Sequence, residues 1–401
     1  IWEVVRKSHQ LDPEANIPVV IHSSSNVPGR TFSPDETKKP GEEGRFITES
    51  IIAINQETGE LSPLKREEMF RPTMTDAERK AKKRGRMFEP KDRVHSANAT
   101  TWDSSLTSLA TYQKNADEII GQAPTVLGDE LDKTQTEIFE MGQKGELNQE
   151  KVNAMAKIKQ ADIFLGNVEL NFQTLFDKAY KYAGSDEQKQ ALDEFAEGYE
   201  KKLNEINKDN LRSFEENGKQ HMDSKLKFPL EKKKLYEDSI VGLGRLTEKN
   251  APQVFKPVDD FAAEKAAETI GNVAFKAISE FKDVNRTPVL ALENLMPHMG
   301  AFNNADDLKK LINQSRKNFE TQLVEKKGMD EKEAKSIATQ LIGATWDVGH
   351  LNVSLRKAGF SEKDVVEETK KIAKDVKHIH LTDNFGHSDS PLSPGMGNVP
   401  F

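Results

Sequence analysis

The sequence contains no cysteine, no long apolar run and no strong excess of charge of one sign among its 401 residues. The absence of cysteine excludes disulfides and thiolate metal sites, so His, Asp and Glu are the strong metal ligands that remain. The formal net charge of -8 excludes a polycation made for nucleic acid, and any charged partner must therefore meet a local patch. Without a run of about 18 apolar residues or a charged leader, we expect a cytoplasmic protein with no membrane partner.

The two ends of the chain suggest a fragment. The first residue is Ile1 rather than Met, and the last, Phe401, follows a loop with no closing element. The length is nevertheless sufficient for one large domain or two ordinary ones with a sizeable core.

Four short stretches share one pattern, in which an apolar, β-branched run ends on a side chain that can bind metal. Such runs are typical of strands that are buried on both faces, as in a parallel sheet covered by helices. The four stretches are IPVVIHSS with His22, TPVLALENL with Glu293, GATWDVGHLN with Asp347 and His350, and VKHIHLTDN with His380 and Asp383.

Helical patterns separate the later strands. The segment NNADDLKKLINQ opens with an Asn that is a suitable N-cap, and SEKDVVEETKKIAKDV opens with a Ser-x-x-Asp cap before apolar residues at helical spacing. Strand and helix alternate, which predicts the α/β class.

A different pattern lies between the first two strands. Within residues 45–103, SIIAINQETGELSPL reads as an inserted β-hairpin, and the basic run RKAKKRGR follows it. Residues 104–283 are predicted to form a large, mostly helical insertion, whose Phe and Tyr stripe we interpret as core. The predicted domain therefore has two parts, residues 1–44 and residues 284–401, on either side of these insertions.

The carboxyl ends of the predicted strands bring the metal-capable residues together. In a parallel α/β sheet or barrel these ends form the active face, and Glu293, Asp347 and His380 each end a different strand. The interval from Asp347 to His380 is about the length of one strand, helix, strand unit. Carboxylates and imidazoles that arrive from separate elements suit a divalent ion, and the sequence predicts such a site.

These same motifs resemble a known superfamily. LALENLMPHMG, TWDVGHLN and KHIHLTDNFGHSDSPLSPGMGNVPF resemble the metal-site motifs of the xylose isomerase-like TIM-barrel superfamily, over about residues 10–30 and 287–401. This superfamily includes sugar isomerases and epimerases, and apurinic-site DNA endonucleases of the endonuclease IV type. The resemblance implies a (β/α)8 TIM barrel, incomplete in this sequence.

The resemblance also assigns roles to residues. Glu293 and Asp347 match the metal-binding Glu and the Asp of an Asp-x-x-His motif, and His350 is that motif's His, which we expect just outside the metal shell as a catalytic residue. Glu293 is also expected to act as a base, and His380 matches the metal-binding His. His22 matches a ligand that only the multi-zinc branch uses.

Departures from the family pattern affect the last motif. Asp389 matches the Asp of an Asp-x-His pair that binds metal in the nuclease branch, but Pro391 occupies the position of the His. Met396 replaces the acid of the family's Gly-Glu-Gly loop. We therefore expect one or two metal ions rather than three, and the resemblance implies that a further catalytic Glu lies beyond residue 401.

Three functions are compatible with these motifs. The first is an isomerase or epimerase of sugars or sugar phosphates that uses Zn, Mn or Mg and proceeds through an enediolate. The second is a zinc-dependent apurinic-site endonuclease, for which nucleic acid would be the partner and which the basic run favours. The third is a barrel that binds metal without catalysis and uses its insertion for interaction.

Overall fold

A computed structural model of the chain describes residues 1–23, 26–70, 75–81, 85–216, 219–296 and 298–401. In chain order its strands are β1 (Val19–Ile21), β2 (Thr31–Pro34), β3 (Phe46–Asn55), β4 (Leu61–Lys65), β5 (Glu67–Met69), β6 (Arg86–Phe88), β7 (Leu211–Glu216), β8 (Lys219–Ser224), β9 (Phe255–Pro257), β10 (Leu290–Glu293), β11 (Ile342–Asp347) and β12 (Val376–His380).

The helices occupy much of the intervening sequence. They are α1 (Trp2–Leu11), α2 (Asp76–Ala81), α3 (Pro90–Ile120), α4 (Ala123–Leu127), α5 (Gln135–Gln143), α6 (Gln149–Lys181), α7 (Asp186–Asn210), α8 (Phe228–Thr247), α9 (Val258–Phe281), α10 (Ala305–Lys327), α11 (Glu331–Leu341), α12 (Val348–Lys357) and α13 (Glu362–Ile372). Within the described residues, none of these helices is long and apolar enough to span a membrane.

The chain divides into two compact units. The first consists of Ile1–Val94 and Phe255–Phe401, and the second of His95–Val254. The expected helical insertion ended at residue 283, but helix α9 belongs to the first unit because its apolar face, from Ala263 to Ile278, packs into the core around the sheet.

A four-stranded parallel sheet organises the first unit. Its strand order is β1, β10, β11, β12, and all three neighbouring pairs are parallel. Every residue of β10 and β11 is buried, whereas β12 alternates between half-buried and exposed residues. The four strands expected from the apolar runs are confirmed, and the chain is an α/β protein with a parallel sheet.

Helix caps in this unit follow the sequence signals. Helix α10 begins after Asn304, whose side chain accepts a hydrogen bond from the backbone N–H of Asp307, as expected for an Asn N-cap. Helix α13 begins after Ser361 with a reciprocal capping box to Asp364. These caps confirm both predicted helix starts.

The predicted hairpin is also confirmed. Strands β3 and β4 are antiparallel neighbours, with Ile51 opposite Leu64, and β2 and β9 also pair with β3. Ile51 and Ala53 are buried in a small core with Val94. The basic run at residues 79–86 lies partly outside the described residues, and within its described part Arg79 pairs with Asp76 at 3.5 Å.

The second unit is mostly helical. Its largest core cluster includes Trp102, Leu165, Leu192 and Tyr236, and Phe195 of the predicted aromatic stripe packs against this cluster. The antiparallel hairpin of β7 and β8 interrupts the helical pattern. Phe195 and Tyr199 of the Phe and Tyr stripe are half-buried and pack against this core, which agrees with the interpretation of the stripe as core.

Candidate metal centre

Strand register determines where the acidic and imidazole side chains of the site lie. Glu293, Asp347 and His380 are the last residues of β10, β11 and β12, and Asp347 lies opposite His380 in the parallel pairing. His22 directly follows β1. Because adjacent parallel strands end at the same edge of the sheet, all four side chains point into one region.

Two carboxylate oxygens lie at the centre of this region. His380 Nδ1 is 2.9 Å from Glu293 Oε1 and 3.4 Å from Asp347 Oδ2. His350 Nδ1 lies 3.7 Å and 3.8 Å from the same two oxygens. Glu293, Asp347 and His350 are buried and close enough together to hold a metal ion. Oxygen and imidazole donors of this kind suit zinc and manganese.

The start of helix α12 positions His350. Asp347 is the N-cap of this helix, and its Oδ1 accepts a hydrogen bond from the backbone N–H of His350 at 2.9 Å. At Asp347 the chain turns directly from strand β11 into helix α12. The first helical turn brings the imidazole back over the carboxylates, where its Nδ1 is farther from the two oxygens than His380 Nδ1, and the expected place of His350 just outside the metal shell stays a prediction.

A hydrogen bond defines the role of one nitrogen of His350. Nδ1 lies 3.0 Å from the backbone oxygen of Asn294, which can only accept, so Nδ1 donates. Nε2 lies 3.4 Å from Asp389 Oδ2. His350 Nδ1 can therefore bind a metal ion only if its hydrogen bond to the backbone oxygen of Asn294 is broken.

His22 and Asp389 also reach the site. His22 Nε2 lies 2.6 Å from Glu293 Oε2, so the two oxygens of this carboxylate face different imidazoles. Asp389 lies on the loop after β12 and contacts the site through His350. The structure thus brings together every residue that the sequence proposed for the site.

Asn294 is a residue that the sequence analysis missed. Its side chain donates to the backbone oxygen of Asp347 at 3.0 Å and accepts from the backbone N–H of Asp347 at 2.8 Å. It is completely buried, and it joins the ends of β10 and β11. Its position directly after the strand that ends on Glu293 was the available signal, since a buried amide there needs partners.

Asp383 organises the loop that carries Asp389. Its carboxylate accepts four backbone hydrogen bonds, from Asn384, Gly395, Gly397 and Val399. Burial by itself raises the pKa of Asp383, but these donors, with Gly397 foremost, lower it below the ordinary value for Asp. The carboxylate is a structural acceptor, because it holds the Gly-Met-Gly segment in place.

A cavity of about 530 Å³ lies beside the site. His22 contributes to its wall, and so do Ile54, Gly59 and Leu61 of the β3–β4 hairpin.

Comparisons with known proteins add little to this description. No family model matches the chain, and no solved structure matches it. A stretch of 67 residues is 36% identical to the uncharacterized protein MJ1311 of Methanocaldococcus jannaschii, covering 17% of this chain and 21% of that protein. The chain thus spans about a fifth of the length of this curated relative. Fold and site define an α/β protein with a candidate metal centre at the carboxyl edge of a parallel sheet.

Proposed function

We propose that the protein is a divalent-metal-dependent isomerase or epimerase of a sugar or sugar phosphate. The observation that carries this proposal is the convergence of Glu293, Asp347 and His380 on one point, with His350 adjacent to them. Strands that end by chance on Glu293 and Asp347 would leave two costly buried charges without a purpose. A shared metal accounts for both of them at once.

The strand order supports the barrel part of the proposal. A doubly wound sheet reverses its strand order at the first strand, whereas β1, β10, β11 and β12 neighbour one another in chain order. Consecutive parallel strands without reversal are the arrangement of a (β/α)8 barrel, in which the active site lies at the carboxyl ends. The four strands would then form one half of such a barrel.

Within this proposal, each residue of the site has a chemical role. Glu293, Asp347 and His380 would hold the ion, and zinc, manganese or magnesium would polarise the carbonyl and hydroxyl oxygens of the substrate. Glu293 is 3% exposed, and its Oε2 lies on the side of His22, whose side chain is 49% exposed. A substrate beside His22 would give the proton next to its carbonyl to this carboxylate. The same carboxylate can return this proton to the neighbouring carbon in an isomerase, whereas an epimerase needs a second acid on the opposite face, the role that the resemblance gives to a further catalytic Glu.

One observation favours a second function, zinc-dependent cleavage of apurinic DNA. His22 contacts Glu293, and Asp389 contacts Nε2 of His350, and these are the two residues that only the nuclease reading requires. Pro391 opposes it, because a third zinc would lose an imidazole donor there. The net charge of -8 also counts against it, because phosphate contacts favour a broad positive surface.

Proton exchange tests the isomerase proposal without knowledge of the substrate. The protein with Mn²⁺ or Zn²⁺ would be incubated in D₂O with a panel of aldoses, ketoses and their phosphates, and NMR would follow deuterium entering carbon. We expect exchange with at least one member, and its loss in Glu293→Gln. The matched control is Glu331→Gln, an exposed position at the start of α11.

The same preparations separate the alternatives. Three bound metal ions, together with salt-sensitive nicking of an abasic duplex, would replace the isomerase proposal by the nuclease. A bound metal with neither exchange nor nicking would favour the barrel that only binds metal. Without any metal binding by the wild-type protein, all three functions fail together.

A further inference from the structure

The cavity beside the candidate metal centre is mostly apolar. Apart from His22, its walls come from Ile1, the loop after β1, the β3–β4 hairpin and helix α9. The apolar lining residues are Val27, Pro28, Ile54, Leu61, Val258, Phe261, Ala262, Ala266 and Ile270. A pocket built only for a free sugar would instead present hydrogen-bonding groups to several hydroxyls, since buried polar groups need partners.

Few of the lining residues are polar, namely His22, Ser23, Asn26, Lys265 and Thr269. His22 contacts Glu293, and the hydroxyl of the adjacent Ser23 is buried without a hydrogen-bond partner among the described residues. Lys265 and Thr269 lie on helix α9, where both are exposed. The cavity therefore has polar groups beside Glu293 and a mostly apolar lining.

We propose that the substrate is a sugar derivative with an apolar substituent, whose carbohydrate end meets Glu293 and His22 and whose apolar group fills this cavity. The inference rests on the proposed function for its carbohydrate half. The volume, about 530 Å³, lies within the range of pockets that enclose a small organic ligand. Ser23 would gain the hydrogen bond that it lacks from the first polar atom of the substrate.

Helix α9 offers a way to fill the cavity. Ala262 and Ala266 are four residues apart on the face that lines it. A phenyl ring in place of the methyl group of Ala266 would occupy the space reserved for the apolar substituent. Asn272 lies on the same helix but is exposed and is not part of the cavity wall, so Asn272→Phe is the matched control.

A series of alkyl glucosides tests the proposal. Methyl, butyl and hexyl β-D-glucoside would be titrated into the metal-loaded protein, and binding followed by calorimetry. Affinity should rise by about fourfold for each methylene that enters the cavity. Ala266→Phe should abolish this dependence on chain length, and Asn272→Phe should preserve it.

Each result supports or overturns the inference. Equal affinities for the three glucosides in the wild-type protein would overturn it, and this measurement needs no variant to fold. A chain-length dependence that survives Ala266→Phe would also overturn it, because the alkyl group would then bind elsewhere. Displacement of hexyl glucoside by an abasic duplex would overturn the assignment to a sugar derivative.

A separate metal titration distinguishes failure of the inference from failure of the proposed function. If the protein binds metal but has equal affinities for the three glucosides, the proposed apolar pocket is wrong and the proposed metal-dependent enzyme is unaffected. Absence of metal binding removes the proposed function, whereas a dependence on chain length that Ala266→Phe abolishes would still support the apolar pocket.

Discussion

His22 Nε2 lies 2.6 Å from Glu293 Oε2, although 271 residues separate the two in the chain. The other oxygen of Glu293 lies 2.9 Å from His380 Nδ1. One buried carboxylate thus links the first strand of the parallel sheet to the last, and it is the residue on which the candidate metal centre depends most.

Removal of this carboxylate should abolish high-affinity metal binding. Glu293→Gln replaces a charged donor that contacts two imidazoles, and we expect the affinity for Zn²⁺ or Mn²⁺ to fall by at least about 100-fold, since even outer partners of a metal site contribute 10- to 100-fold. Calorimetric titration measures this change. His95→Ala, at an exposed position, is the control, and an unchanged affinity in Glu293→Gln would contradict the site.

Asn294 should be needed for stability as well as for the site. Asn294→Ala leaves the backbone N–H and oxygen of Asp347 without their buried partners, so we expect a loss of about 2–4 kcal/mol in the free energy of unfolding. Metal affinity should also fall, because Asp347 is no longer held. Urea denaturation measures the first effect, and exposed Asn272→Ala should change stability by less than about 0.5 kcal/mol.

The loop after β12 should loosen in acid. In the folded protein the pKa of Asp383 is below its ordinary value. The ionised carboxylate therefore stabilises the folded loop fully above the unfolded pKa of about 3.9, and this stabilisation is lost as the pH falls through the folded pKa. Hydrogen exchange at the Gly397 amide should therefore be slow near neutral pH. Asp383→Ala should accelerate it by at least about tenfold. Equal exchange in both proteins would contradict the role of this carboxylate.

Arg30 should stabilise the loop that follows β1. Its guanidinium is almost fully buried and pairs with Asp259 and Asp260. Burial raises the pKa of Asp259, which shows how much this carboxylate depends on a cation. Arg30→Met leaves it uncompensated and should cost about 3–5 kcal/mol. Adding Asp259→Asn should recover part of this loss in urea denaturation, and a double variant less stable than Arg30→Met would contradict the pairing.

The helical unit should contribute to stability but not to metal binding. Leu192 is completely buried in its core, and Leu192→Ala should destabilise that unit by about 2–5 kcal/mol. The metal affinity of the folded protein should stay unchanged, since the site residues all lie in the other unit. Exposed Ile163→Ala, at 69% exposure, is the control. A fall in metal affinity with Leu192→Ala would contradict this prediction, because metal binding would then depend on the helical unit.

Much of the parallel sheet could be predicted from the sequence. Continuous apolar runs ending at Glu293 and Asp347 marked two strands buried on both faces, and the Asn and Ser caps marked two helix starts. These features are local, since burial pattern and capping depend on residues a few positions apart. Helix α9 was instead assigned to the helical insertion, although it belongs to the unit with the parallel sheet. Its amphipathic pattern does not reveal which core it covers.

The sequence by itself determined which donors were available, since a chain without cysteine has only His, Asp and Glu to offer a metal. It also placed Glu293, Asp347 and His380 at strand ends. The tertiary structure alone decided that His22 shares Glu293 with His380, that His350 donates to the backbone of Asn294, and that an apolar cavity adjoins the site. These relationships depend on strand register and on packing between segments far apart in the chain, which no local pattern encodes.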